Sequence, residues 1–317
     1  MSVKKVYFID TVHPVLSERL SESGFSCVDV SKEKAEDLPA ILVDAVGLVI
    51  RSKISLSKEI LSQCKSLSFI ARSGSGLENI DINFCKERGI SCYNSPEGNR
   101  NAVAEHALGM LLSLLNKIHI SDLQIRNGIW QREQNRGEEL DGKTIGIIGY
   151  GNNGSAFAQK LKGFDVKVMA YDKYKSGFGD HFVHECTLSA LQEQADVISF
   201  HVPLTKETKY MFNETFIENM KNPFILMNLA RGKVVQTIDL VSGLKNDKIR
   251  GACLDVHEFE KKSFESFFEQ HMPEEFLFLT QSERVILTPH IAGWTQESYY
   301  KLSNVLADKI LEYHSPQ

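Results

Sequence analysis

The chain has 317 residues, enough for two domains that each bury their own core. Its 42% hydrophobic and 24% charged content is ordinary for a soluble globular protein, and no stretch approaches the ~20 apolar residues of a membrane span. A formal net charge of −5 argues against nucleic acid as a partner, because phosphate backbones call for a basic surface.

The cysteines at 27, 64, 85, 92, 186 and 253 are scattered and form no C-x-x-C pair. They read as reduced thiols of a cytoplasmic protein, with neither a disulfide frame nor a metal site. The N-terminus enters an apolar run at 6–10 directly, without signal-peptide anatomy.

In chain order, strand-like runs at 6–10, 46–51, 67–72 and 90–94 alternate with helical patterns at 14–23 and near 57–64. Alternation of this kind predicts a parallel sheet covered on both faces. Two turns follow strand ends, where open α/β sheets place ligands: Arg51-Ser52-Lys53, and the loop Ser73-Gly74-Ser75-Gly76. The small residues of the second leave backbone N–H groups for a carboxylate. A long helix is predicted over 101–120, with an apolar face wide enough for burial on several sides. An irregular segment around Trp130 comes next.

The centre of the chain is the run 143–154. An apolar strand ends in Gly149-Tyr150-Gly151-Asn152-Asn153-Gly154, and a helix is predicted to follow over 155–161. Gly149, Gly151 and Gly154 fit G-x-G-x-x-G: one glycine for the tight turn, one for close approach to a pyrophosphate, one for helix-on-strand packing. A second strand at 166–171 ends in Asp172, 18 residues beyond Gly154. Roughly 20 are expected for a carboxylate that holds the adenine ribose, and an acid there disfavours a 2′-phosphate. NAD is the expected cofactor.

Strands are then predicted at 196–201, 224–229, 251–256 and 285–290. Asn213 and Thr237 are candidate helix caps. The phenylalanine-rich stretch 263–280, with Ser266 and Glu269 spaced as a capping box, predicts a packed helical insertion or lid. Arg231, Glu260 and His290 fall just past strand ends. A guanidinium can anchor a carboxylate and polarise a keto oxygen, an imidazole can move a proton near neutral pH, and a carboxylate behind it can fix its tautomer.

At these residues the chain resembles the D-isomer-specific 2-hydroxyacid dehydrogenase family. The likeness runs from Arg51 to Trp294. It includes Asn79-Ile80-Asp81, Asn94-Ser95-Pro96, Ala102-Val103-Ala104-Glu105, the glycine motif and His201-Val202-Pro203-Leu204-Thr205. It continues through Asn228-Leu229-Ala230-Arg231-Gly232, Leu254-Asp255-Val256 and Thr288-Pro289-His290-Ile291-Ala292-Gly293. The resemblance implies two doubly wound, Rossmann-like α/β domains with parallel sheets. A substrate domain of 1–97 and 294–317 would carry an inserted NAD domain at 98–293, with a cleft between them.

It implies that Arg231 binds substrate, His290 is the acid/base and Glu260 its partner. His201, Pro203, Thr208, Ala230, Asp255 and Gly293 join the glycine loop, including Asn152 and Asn153, and Asp172 in holding NAD. Arg51, Ser52, Lys53 and the loop 73–76 would meet substrate. Trp130 matches a residue that reaches the neighbouring subunit's site in some members. From the long apolar helix and the resemblance, a homodimer or dimer of dimers is expected.

The best-matching substrate is 3-phosphoglycerate, at the head of serine synthesis, with glyoxylate, hydroxypyruvate or another small 2-oxo acid as the alternative. A dinucleotide-sensing binding protein is the rival of another class. Two departures stand out. Lys261 follows Glu260 where the family has proline, and 30 residues separate Glu260 from His290, which keeps Glu258 as a rival partner. A sequence stopping at Gln317 leaves no room for an appended regulatory domain, so feedback by serine through one is not expected.

Overall fold

The computed structural model describes residues 4–260 and 272–314. They divide into two compact units, 4–100 with 294–314 and 101–260 with 272–293. The first unit is built on β1 (Lys5–Phe8), β2 (Ser26–Asp29), β3 (Gly47–Ile50), β4 (Phe69–Arg72) and β5 (Ser91–Asn94), all parallel in the order β2-β1-β3-β4-β5. Side chains alternate across this sheet, as strand geometry requires. Val6, Phe8, Val49 and Phe69 join one buried cluster with Leu306 and Ile310 of the helix Gln296–His314. Tyr7, Ile9, Leu48, Ile50 and Ile70 join another with Leu42, Leu61 and Cys85. Both faces are therefore covered.

The second unit carries β6 (Thr144–Ile148), β7 (Lys167–Tyr171), β8 (Val183–Glu185), β9 (Val197–Phe200), β10 (Phe224–Asn228), β11 (Ile249–Leu254) and β12 (Val285–Leu287). The order is β12-β11-β10-β9-β6-β7-β8, again all parallel. The chain reverses direction across the sheet between β6 and β9. Ligands of open α/β sheets bind at the carboxyl ends of such strands. Among the described residues no helix is long and apolar enough to cross a membrane.

The long helix differs from expectation. It runs over Pro96–Leu115, not 101–120, because Pro96 takes its first position, where a missing N–H costs nothing. It stops where Lys117 adopts φ 51°, and a separate helix, Ile118–Arg126, follows. Strands β2 and β8 and the helices Ile82–Arg88 and Leu188–Gln194 had no prediction. β2 is a four-residue edge strand, SCVD, with no buried side chain, so it lacks an apolar signature. Of the expected insertion, residues 261–271 with Ser266 and Glu269 lie outside the described residues. The remainder contains the helix Glu274–Gln281, which buries Phe276 and Leu279.

Candidate active site

Each glycine after β6 has a distinct steric reason. Gly149 has φ 94°, and a Cβ there would come within 2.7 Å of the His201 carbonyl oxygen. A Cβ on Gly154 would lie 2.0 Å from the Gly149 oxygen, so nothing larger lets the helix Asn152–Lys160 sit on its strand. At Gly151 a Cβ would meet nothing within 4 Å. Space stands open over the backbone there, beside a helix start that no side chain caps. That combination fits a pyrophosphate, which needs close backbone approach and the N–H groups of a helix terminus.

Asp172 accepts the Tyr150 amide at 2.8 Å, the Tyr174 amide at 2.9 Å and the Lys175 amide at 3.1 Å. A carboxylate offers about four acceptor positions, so capacity for one more donor remains. Nearby, Glu207 pairs with Lys173 at 2.8 Å and also accepts from the Tyr174 hydroxyl. His201 is held through Nε2 to the Ser199 hydroxyl at 2.8 Å, while its buried Nδ1 meets no hydrogen-bond partner among the described residues. Burial lowers its pKa to about 4 and keeps the ring neutral. Thr208 serves its own turn: its hydroxyl donates to the Pro203 oxygen at 2.6 Å and accepts the Thr205 amide at 2.8 Å.

The three candidate catalytic residues sit on the loops after β10, β11 and β12. After β10, the Asn228 side chain donates to the Arg231 oxygen at 3.0 Å and accepts the Ala230 amide at 3.1 Å, which fixes the turn that presents Arg231. Arg231 Nη1 donates to the Ala230 oxygen at 2.7 Å. Gly232 follows because its Cα passes the next loop closely; a Cβ would fall 1.8 Å from the His257 oxygen.

After β11, Asp255 is buried and organises the His290 loop. It accepts the Thr288 hydroxyl at 2.6 Å and the Ile291 and Ala292 amides at 2.8 and 2.9 Å. Glu258 accepts hydrogen bonds from the Tyr210 hydroxyl and the Thr237 amide, both at 2.8 Å. Thr237 is thus the first residue of the helix Thr237–Lys245 and is capped by Glu258, not a cap itself. Glu260 Oε2 lies 3.0 Å from His290 Nδ1. His290 holds φ 55°, with its amide donating to the Asp255 oxygen at 2.8 Å and the Thr288 oxygen at 3.0 Å.

In the first unit the two basic residues after β3 behave differently. The Arg51 guanidinium lies over the Trp294 ring, 4.2 Å from its centroid. The Lys53 ammonium, expected to meet substrate, donates to the Ser31 and Glu33 carbonyl oxygens at 2.5 and 2.6 Å. The Arg51 amide donates to the Asp10 carboxylate at 2.6 Å, and the Lys53 amide at 3.3 Å, so a carboxylate already occupies the turn around Ser52. Arg72, ending β4, donates to the Arg51 oxygen at 3.1 Å and the Gly76 oxygen at 2.7 Å. It braces the loop 73–76. The Ser73 amide of that loop is engaged by the Ile50 oxygen at 2.9 Å, and the Ser75 hydroxyl by Asn99 at 2.9 Å. Trp130 is 76% exposed.

Residues 108–292 match the NAD binding domain of the D-isomer specific 2-hydroxyacid dehydrogenases, over half of the chain. The chain belongs to that family. Its second unit is accordingly an NAD-binding domain. Among curated members, the D-3-phosphoglycerate dehydrogenase of Archaeoglobus fulgidus is 36% identical over 84% of this chain and 49% of its own length. The hydroxypyruvate reductase of Thermotoga maritima is 34% identical over 90% of both chains. This family member thus spans about half the length of the phosphoglycerate dehydrogenases it matches, and most of the reductase. A crystal structure of D-lactate dehydrogenase from Aquifex aeolicus, complexed with NAD and lactic acid, superposes with TM-score 0.82 at 30% identity, covering 98% of this chain and 95% of that one.

Several residues that shape this candidate site were not singled out from sequence. Asn228 and Gly232 lay inside a quoted motif whose only assigned members were Ala230 and Arg231. His106 Nε2 lies 3.1 Å from the Thr288 hydroxyl and 3.7 Å from Asp255, contacts across more than a hundred residues of chain that no local pattern announces.

Proposed function

We propose that the protein catalyses NAD-dependent interconversion of a D-2-hydroxy acid and its 2-oxo acid, with 3-phosphoglycerate as the substrate oxidised. The observation that carries the chemistry is the 3.0 Å pair of His290 Nδ1 and Glu260. With Nδ1 on the carboxylate, Nε2 is the atom that takes the C2 hydroxyl proton, and Glu260 stabilises the imidazolium that results. Arg231 holds the substrate carboxylate and draws electron density from the C2 oxygen. When bound, NAD supplies the acceptor for the C2 hydride. Asp172, with its remaining acceptor capacity, takes the ribose hydroxyls.

The phosphorylated substrate is supported by two guanidinium groups at neighbouring strand ends, Arg51 and Arg72, beside the loop 73–76, and by the phosphoglycerate dehydrogenases among the relatives. A second reading, reduction of hydroxypyruvate or glyoxylate, is favoured by Lys53. Its ammonium is engaged by two carbonyls, and Asp10 places negative charge where a phosphate would come.

Steady-state kinetics with NADH and phosphohydroxypyruvate, hydroxypyruvate, glyoxylate and pyruvate separates the two. The highest kcat/KM is expected for phosphohydroxypyruvate, falling selectively in Arg51→Ala; a preference for an unphosphorylated acid overturns the substrate assignment. In the same panel His290→Gln should bind NAD and lose about 10²–10⁴ in turnover, the usual worth of a positioned acid/base. Near-wild-type turnover in that variant removes the acid/base role.

A further inference from the structure

We propose that His257 is a positioning residue, which sets the geometry of the His290–Glu260 pair by tying together the three loops that carry Arg231, Glu260 and His290. The inference rests on the reading of His290 as the acid/base. The Nε2 of His257 lies 2.8 Å from the Thr288 carbonyl oxygen. A carbonyl only accepts, so the hydrogen of the neutral ring must be on Nε2. The same oxygen accepts the His290 amide at 3.0 Å. His257 therefore grips the peptide group two residues before His290, the one that helps hold His290 at φ 55°. L-residues with substituents at Cβ avoid that conformation, and it persists only where the surroundings impose it.

The backbone of His257 does the rest. Its carbonyl accepts the Glu260 amide at 3.2 Å, which starts the turn that brings the carboxylate to His290. The same carbonyl lies against Gly232, where a Cβ would approach to 1.8 Å, so it also sets the height of the Arg231 loop. The ring is 7% exposed and meets Phe276 edge to face, centroids 5.4 Å apart at 84°. Burial favours the neutral form, consistent with a single fixed tautomer. One residue thus fixes three attachment points, and displacements of ~0.5 Å at such a centre are enough to lose productive geometry.

Two variants and one spectroscopic measurement on the intact chain test this. His257→Phe keeps a flat ring and removes the donor; His257→Gln returns an amide N–H that can reach the Thr288 oxygen. Phenylalanine should lower kcat about 10- to 100-fold, the usual effect of losing a partner that orients a reacting group, with KM and the NAD dissociation constant little changed. Glutamine should recover most of kcat. Wild-type kcat in the phenylalanine variant, or equal loss in both variants, overturns the proposal.

Nitrogen-15 histidine spectra of the wild-type protein, with the His257 signals identified by their absence from His257→Gln, stand even if the phenylalanine variant does not fold. His257 should be the Nε2–H tautomer, and an Nδ1–H tautomer or a rotationally averaged ring overturns the assignment. The failures are distinguishable. An active His290→Gln enzyme removes the underlying reading, whereas an inactive His290→Gln enzyme beside an unimpaired His257→Phe enzyme removes only the positioning role.

Discussion

At position 201 burial decides the charge. The imidazole pKa is pushed to about 4, against about 6.5 in the unfolded chain. Above pH 6.5 both states are neutral there and the folded protein keeps its full stability. As pH falls from 6.5 towards 4, the unfolded chain takes up a proton that the folded one refuses, and stability drops by up to about 3 kcal/mol, at ~1.4 kcal/mol per pH unit. His257 is shifted in the same direction by the same cause. Urea midpoints measured between pH 7 and 4 should therefore decline, and His201→Asn should flatten the decline without abolishing it. An unchanged slope would mean that water reaches the ring. Residue-scale chemistry was only partly legible in the sequence. The likeness to the family, in which the acid lies five residues past the position of Asp255, favoured Glu260 over Glu258 as the partner of His290, and Glu260 Oε2 is the carboxylate oxygen 3.0 Å from His290 Nδ1. What engages Glu258, the Tyr210 hydroxyl and the Thr237 amide, lies 48 and 21 residues away and leaves no local mark.

Among the elements, the glycines at the carboxyl ends of β6 and β10 show how similar sequence signals conceal different physics. Gly232→Ala drives a methyl into the His257 carbonyl, a backbone atom that cannot swing aside. It should cost about 1–3 kcal/mol in urea unfolding, the range for overfilled sites, along with activity. Gly151→Ala meets no protein atom within 4 Å and has φ −87°, which alanine tolerates. It should leave the urea midpoint unchanged and weaken NAD in a fluorescence titration. Equal effects of the two substitutions on stability would refute the distinction.

Strands rich in buried apolar residues, such as β6, β9 and β10, were legible because both faces of a parallel sheet are covered and the run is continuous. The edge strands β2 and β8 were not, since one neighbour is missing and most of their side chains remain in contact with water. The helix break at Lys117 was hidden by continuing apolar residues on either side, Leu115 and Ile118.

On the scale of the whole molecule, the helix Ile118–Arg126 buries no residue of its own chain. Ile118, Leu123, Ile125, Ile129 and Trp130 are between 44% and 76% exposed. So many large apolar side chains on one short stretch are rarely left to water, and a second copy of this chain is the expected cover. Sedimentation should give a dimer that Leu123→Glu with Ile125→Lys converts to monomers; a monomeric wild-type protein would dismiss this surface. That both sheets are parallel followed from the alternation of strands and helices, but their strand orders, and so their edges, are decided by crossovers that short-range pattern does not encode. Each of the four buried clusters draws its members from one unit only. Each unit therefore carries cohesion of its own, and a coenzyme held by the second unit adds its binding energy to the packing of that unit.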